Sequence, residues 1–170
     1  PEGKKTPTRY TVKKMDKFNS RRSEFSPMLY GSNFDQLYFA SSRTKDKESK
    51  ISAITGLGNN NFYLAKKNEK GEWLAPEEIE DEVNTEFDEG TPSFSADGRS
   101  MYYTYCSQDP ESSRTAEIYV SSRSNAKWGK GVKVQLLKDS VTTLAHPSIS
   151  PDGKYLFFVS DAMGGYGGKD

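Results

Sequence analysis

The side chains able to do chemistry are few. Among 170 residues there is one histidine, His146, and one cysteine, Cys106. A Ser-His-Asp triad needs an imidazole held by a carboxylate and aimed at a nucleophile. His146 instead abuts Pro147, at a place where related segments carry Thr91 and Ser26, both small hydrogen-bonding residues. The favoured reading is a side chain that satisfies a neighbouring strand or turn, although acidic partners exist and a His-carboxylate site stays open. Cys106 ends an aromatic run, Tyr102-Tyr103-Thr104-Tyr105. A nucleophilic thiol needs a nearby base and a lowered pKa, so a buried inert thiol or a strand-end thiol is expected. A single cysteine excludes an internal disulfide framework and a Cys-rich zinc site.

Three other features resemble sites and read better as turns or packing. Asp97-Gly98 and Asp152-Gly153 supply one carboxylate each, whereas a calcium loop needs several oxygens at alternating positions; they are expected to close tight two-residue hairpins, since both residue types tolerate positive φ. Gly164-Gly165-Tyr166-Gly167-Gly168 has no Lys-Ser/Thr after it, as a phosphate cradle would, and reads as a long hairpin. Trp73 and Trp128 stand 55 positions apart and suit a packing role at one repeat position. No catalytic residue, metal ligand or cofactor site is assigned.

The elements that must hold these residues are strands. Gln36–Ser41, Ser100–Tyr105 and Lys154–Val159 are short aromatic-rich runs that follow turn chemistry. Helical periodicity is nearly absent; Ala75–Val83 has a Pro at its second position and many acids, and reads as an edge strand with an acidic connection, a short helix being the lesser option. Repeats set the architecture. Thr91-Pro92-Ser93-Phe94-Ser95-Ala96-Asp97-Gly98 returns as His146-Pro147-Ser148-Ile149-Ser150-Pro151-Asp152-Gly153. Asn61–Lys67 returns as Glu117–Arg123, and Asn19–Pro27 parallels Asn84–Pro92, with Asn, Ser/Thr, Glu and the Ser/Thr-Pro pair aligned. Each period then holds four strands, in the second copy Ser93–Ala96, Arg99–Tyr105, Ala116–Ser122 and Gly131–Leu137.

A four-stranded antiparallel unit repeated every ~40–55 residues marks a propeller blade. The expected fold is all-β, a partial β-propeller of about two and a half blades. Residues 1–23 would carry an outer strand of a preceding blade at Tyr10–Met15. Residues 24–88 and 89–145 would form full blades, and 146–170 the first half of a third. Propellers close with four to eight blades, so the chain reads as a piece of a longer polypeptide. Pro27, Pro92, Asp97, Gly98, Pro147, Asp152, Gly153, Trp73 and Trp128 are the residues expected to define the repeat.

Composition agrees. Leu, Ile, Val and Phe are scarce, but aromatics are 12% and 24 bases balance 24 acids, so the chain folds around aromatic and β-branched side chains rather than staying disordered. No apolar run approaches the ~18 residues of a membrane helix, and balanced charge gives no global reason to bind nucleic acid. Charge is segregated: residues 1–23 hold eight bases and two acids, residues 69–90 ten acids and one base. Solvated outer strands explain this, or complementarity with a protein partner.

Pro147-Ser148-Ile149-Ser150-Pro151-Asp152-Gly153-Lys154-Tyr155-Leu156-Phe157-Phe158, and Pro92 to Tyr103 after it, resemble the TolB-type propeller repeat, a relative of the WD repeat. The resemblance covers the chain beyond its first nine residues. Ser160 to Asp170 resembles a phrase of periplasmic OmpA-family proteins of the Bacteroidota, in which such a propeller lies between a tetratricopeptide region and a peptidoglycan-binding domain, one of them a wall-anchored component of type IX secretion. The resemblance implies a periplasmic, outer-membrane-associated scaffold whose partners are protein subunits of an envelope complex. Peptidoglycan would be met only through a domain outside these residues, with no nucleic acid and no direct membrane insertion. The first copy departs from the pattern, with Gly31–Asp35 replacing the Asp-Gly turn. Three long excursions, Ser42–Asn60, Ser107–Thr115 and the glycine-rich segment, would emerge on one face as a partner surface. Two rivals are a gating propeller of a prolyl-oligopeptidase-type hydrolase, which requires a Gly-x-Ser-x-Gly elbow elsewhere, and a glycan-binding propeller using tyrosine and tryptophan platforms.

Overall fold

The computed structural model describes residues 9–43, 58–107, 116–138 and 142–170. Most of the excursions Ser42–Asn60 and Ser107–Thr115 lies outside the described residues. Every regular element among those described is a strand. β1 (Glu24–Tyr30), β2 (Gln36–Ser41), β3 (Asn61–Lys66) and β4 (Glu77–Glu78) form one antiparallel sheet in that order. β5 (Asp88–Phe94), β6 (Ser100–Cys106), β7 (Glu117–Ser124), β8 (Lys127–Trp128) and β9 (Val132–Lys133) form a second, in which β7 pairs with β6, β8 and β9. β10 (Leu144–Ile149) and β11 (Leu156–Ser160) form a third. β5 packs against β1 on one side and β10 on the other. The fold is therefore all-β, a partial propeller of antiparallel blades.

The first strand of each sheet bends at the same place. Register slips between Phe25 and Met28, between Gly90 and Ser93, and between Ala145 and Ser148. The residues before the prolines, Ser26, Thr91 and His146, have φ of 51°, 52° and 54°. Proline cannot donate to a ladder, so Pro27, Pro92 and Pro147 sit where a bulge has already broken it. The left-handed residue ahead of each proline is a rare conformation for a side chain, and the packing of one sheet on the next holds it. Thr104 Oγ1, for example, takes the His146 N–H at 2.8 Å and lies 2.6 Å from Thr91 Oγ1.

The turns after these strands differ from the expected two-residue form. Ser95–Gly98 is a four-residue turn, with the Gly98 N–H on Ser95 O at 2.9 Å. Asp97 Oδ1 accepts from Ser95 Oγ at 2.6 Å and from the Arg99 N–H at 3.0 Å. Only Gly98 has positive φ, at 66°. Ser150–Gly153 copies it bond for bond, with Gly153 at 71°. An aspartate that caps its own turn through the side chain has no need of a left-handed backbone.

Other expectations shift too. Tyr10–Met15 is not a strand; Tyr10 and Val12 are exposed, and no described strand offers that segment a ladder. The outermost strands shrink to Glu77–Glu78 and Val132–Lys133. In the first sheet the cause is Asn84. Its amide gives Nδ2–H to Phe62 O and takes the Phe62 N–H on Oδ1 (3.0 and 2.8 Å), standing in for a strand backbone. The glycine-rich segment does close a hairpin. Ser160 and Asp170 exchange both backbone bonds (2.7 and 2.8 Å), and the Asp170 carboxylate accepts the Gly167 N–H. That pair occupies the place of Ser41 with Asn61 and of Tyr105 with Glu117.

The core lies between the first two sheets. Tyr38 and Ala40, two residues apart and so on one face, meet Met101, Tyr103 and Trp128 from the second sheet, with Phe62, Ile79 and Val83 completing the layer. Burying each large side chain there contributes about 1.5–3 kcal/mol.

Candidate interaction groove

The seam between the first two sheets is locked by aromatic rings and a few polar bonds. Tyr30, Tyr38, Phe94 and Trp128 meet edge-on or tilted, with centroid separations of 4.8 Å (Tyr30–Phe94) to 6.4 Å (Tyr38–Trp128). Each polar tip is satisfied, as buried Tyr and Trp require. Trp128 Nε1–H donates to Tyr38 Oη at 3.2 Å, the Trp128 N–H to Asp81 Oδ2 at 2.9 Å, and the Tyr30 hydroxyl to Gly98 O at 2.7 Å. Burial raises the Tyr38 phenol above its ordinary range.

Trp128 reaches the seam through β8, a hairpin that the sequence did not signal. Arg123 pairs with Trp128 across a two-residue turn, Asn125-Ala126, whose φ values are 50° and 64°. Trp73 holds the matching place in the first repeat. It bridges to Lys67, the position equivalent to Arg123, and each tryptophan carries its cation over the ring, Lys67 Nζ at 4.9 Å and Arg123 Cζ at 5.5 Å. Trp128 is 2% exposed. Trp73 is half-buried, with Phe18 edge-on at 5.4 Å. Phe18 stands where Val83 stands in the aligned segment, so the stretch before β1 covers Trp73 much as the stretch before β5 lines the seam.

A groove of about 930 Å³ runs along this seam. Its walls include Gln36, Leu64, Lys66 and Leu74 from the first sheet and its connection, and Arg123 and Lys127 from the hairpin. Glu77, Glu80 and Asp81 form an acidic margin. Arg123 packs over the Tyr30 and Trp128 rings, its Cζ 5.0 Å from the Tyr30 centroid, and gives Nη1–H to Tyr30 Oη at 2.5 Å and Nη2–H to Ala126 O at 3.5 Å. Its Nε, and Oε1 of Gln36, are buried without partners. A second hollow of about 600 Å³ is formed by the first turns and strand ends, among them Met28, Leu29, Phe34, Asp97 and Ile149.

The residues singled out from sequence divide between these places. Gly98 belongs to the seam: a Cβ there would lie 2.6 Å from Tyr30 Oη. Gly153 shares its conformation, yet nothing lies within 4 Å of a Cβ built on it. Asp97 borders the second hollow, and Asp152 repeats its turn. His146 is exposed and contributes its backbone N–H to Thr104. Burial pushes the Cys106 thiol up to about 11, with Asp88 and Glu89 adding to the effect, so thiolate is scarce near neutral pH. Among the described residues no group of three His, Cys, Asp or Glu side chains could hold a metal ion, and no helix is long and apolar enough to cross a membrane.

Sequence reasoning passed over one further pair. Glu24 and Glu89 lie at equivalent places in β1 and β5, and each accepts the side-chain hydroxyl (2.5 Å) and the N–H of the residue four before it, Ser20 and Thr85. Burial raises the Glu24 carboxyl, but the Ser20 and Ser41 hydrogen bonds and the Arg43 charge outweigh it and hold it below its usual range. Glu89 is 1% exposed, its Oε2 has no partner, and burial pushes it up to about 8. The available signal was the shared Asn-Ser/Thr-x-x-x-Glu spacing.

Strand order, bulged first strands and an aromatic seam define a β-propeller segment. No family model matches the sequence, and no curated protein matches it. Among solved structures the chain is similar to TolB from Acinetobacter baumannii, with a TM-score of 0.50 and 24% identity over 87% of this chain and 29% of that one. The chain thus spans under a third of that structure's length, and the likeness is one of fold.

Proposed function

We propose that this chain is the propeller part of a periplasmic, outer-membrane-associated protein and acts as a non-enzymatic scaffold for protein subunits of a secretion or envelope complex of the type IX kind. The observation that carries the reading is the seam groove. Locked aromatic rings hold Arg123 rigidly at its wall while leaving that cation without a carboxylate partner among the described residues. A rigid scaffold that fixes polar groups in a groove is suited to docking, because little conformational freedom is lost on binding. The TolB-like fold and the glycine-rich phrase at Ser160–Asp170 support the cellular setting. Tryptophan platforms for glycans are disfavoured by the burial of Trp128 and the cover of Phe18 on Trp73.

Affinity capture from solubilised envelope fractions tests the proposal. The expected result is a defined set of protein subunits bound to the chain in stoichiometric amounts. Saturable binding on a glycan array that disappears in Trp73→Ala, with no protein retained, would overturn it.

A further inference from the structure

The structure assigns the seam groove an occupant: an extended peptide segment of a partner protein, bearing a carboxylate side chain next to an apolar one. The assignment rests on the scaffold reading above and adds the place and chemistry of contact. Four cations line the groove, namely Arg43, Lys66, Arg123 and Lys127, and Arg43 is paired with Glu24 at 3.0 Å. Lys66, Arg123 and Lys127 have no carboxylate partner among the described residues, whose ion pairs with one another lie at Lys14–Asp16, Arg43–Glu24 and Lys133–Glu117. Lys66 and Lys127 are exposed, whereas Arg123 is half-buried and immobilised by the Tyr30 and Trp128 rings. A guanidinium so fixed is pre-organised for a planar carboxylate.

The acidic margin gives the segment a direction. Asp81 already accepts the Trp128 N–H, and Glu77 and Glu80 lie beside it. A carboxylate is attracted to the Arg123 side and repelled from the β4 side. Leu74, 49% exposed on the wall, offers apolar contact to the neighbouring side chain. Gln36 Oε1 and Arg123 Nε are an acceptor and a donor left unpaired inside the wall. A peptide group presents one N–H and one C=O, the donor and the acceptor that these two atoms lack. A nucleic-acid backbone would supply phosphate acceptors without an N–H donor and would meet the acidic margin along its length.

The probe is a random dodecapeptide library displayed on phage and panned on the chain, followed by calorimetric titration of synthetic copies of the recovered sequences. Recovered peptides are expected to share an Asp or Glu beside an apolar residue. Lys66→Glu combined with Lys127→Glu, both exposed and remote from the core, is expected to weaken binding at least tenfold with an unchanged melting temperature. Gln36→Leu is expected to weaken it several-fold even at high salt, because a main-chain bond is not screened as a surface charge is. Recovery of peptides without acids, or affinity unchanged in the double variant, would sink the assignment. So would binding of polyglutamate or heparin that equals the selected peptides. An envelope subunit that binds the double variant as well as the natural chain overturns the groove and leaves the scaffold reading standing; a chain that retains neither peptide nor subunit overturns both.

Discussion

Glu24 and Glu89 show how one local motif yields two charge states. Both sit at the start of a sheet's first strand, and both are clasped by a Ser or Thr four residues earlier. The hydroxyls are themselves fixed, Ser20 Oγ by the Arg22 N–H at 2.9 Å and Thr85 Oγ1 by the Phe87 N–H at 3.1 Å. The difference arises across the ladder. Glu24 faces Ser41, and two residues on Arg43 folds back to 3.0 Å from its carboxylate. Glu89 faces Tyr105, and two residues on the chain carries Ser107. Without a cation, Glu89 keeps the desolvation cost of its charged form, and Asp88 beside it adds repulsion. The motif secures the turn; whether the carboxyl is ionised depends on one residue at the root of a variable excursion.

The largest effect follows from that contrast. A carboxyl whose folded pKa is about 8, against 4.5 for an ordinary glutamate, binds protons more tightly when folded. Its contribution is fully present below pH ~4.5 and is lost as pH rises through about 8. Wild-type chain is therefore expected to weaken between pH 5 and 9, and Glu89→Gln to remove most of that slope, an effect on the order of 3–5 kcal/mol at the alkaline end. Urea unfolding at pH 5 and pH 9 measures both. Ser107→Arg, which places a cation as Arg43 does in the first sheet, is expected to recover part of the loss. A slope equal in wild type and Glu89→Gln would refute the account. Glu24 runs the other way: its lowered carboxyl stabilises above its unfolded pKa, and that contribution fades as pH falls through the folded value.

The two Asp-Gly turns permit a second comparison. Gly98 and Gly153 have nearly the same φ, but only Gly98 faces a neighbour, Tyr30 Oη. Alanine at Gly153 should cost only the left-handed penalty, roughly 1–2 kcal/mol. Alanine at Gly98 adds overpacking of about 1–3 kcal/mol and displaces the Tyr30 hydroxyl that supports Arg123. Thermal melts of the two variants give the difference directly; equal losses would mean that the seam yields without cost.

Sequence periodicity revealed the architecture because aromatic strands, Ser/Thr-Pro steps and Asp-Gly turns recur at fixed spacing, each with a local physical cause. What depends on distant contacts was hidden. Asn84 replaces part of a strand with its side chain, which no strand propensity reports. The left-handed residues before Pro27, Pro92 and Pro147 run against the usual preference of a pre-proline residue. The Asp turns took a four-residue form because Ser95 and Ser150 each bond across the turn. Glu89 was visible as an aligned letter, but its burial and missing cation required knowing what lies across from Tyr105. The groove draws on β2, β3 and a hairpin about ninety residues from Gln36, so no local window contains it.

That hairpin supplies the smallest test and a third comparison between repeats. The Lys67–Trp73 hairpin turns through Gly71, at φ 77°, with the Gly71 N–H on Asn68 O. The Arg123–Trp128 hairpin is shorter and turns through Asn125 and Ala126, both left-handed. Tight turns of this kind favour Asn followed by Gly, and alanine at φ 64° carries a penalty of about 1 kcal/mol that glycine avoids. Ala126 is exposed, and its carbonyl accepts a hydrogen bond from Arg123 Nη2–H. Ala126→Gly should therefore stabilise the chain by roughly 0.5–1 kcal/mol, the backbone gain being partly offset by the greater freedom of unfolded glycine. Denaturant midpoints measure the change. A loss of stability instead would mean that the register between Arg123 and Trp128 is held by the aromatic seam, with the turn merely following.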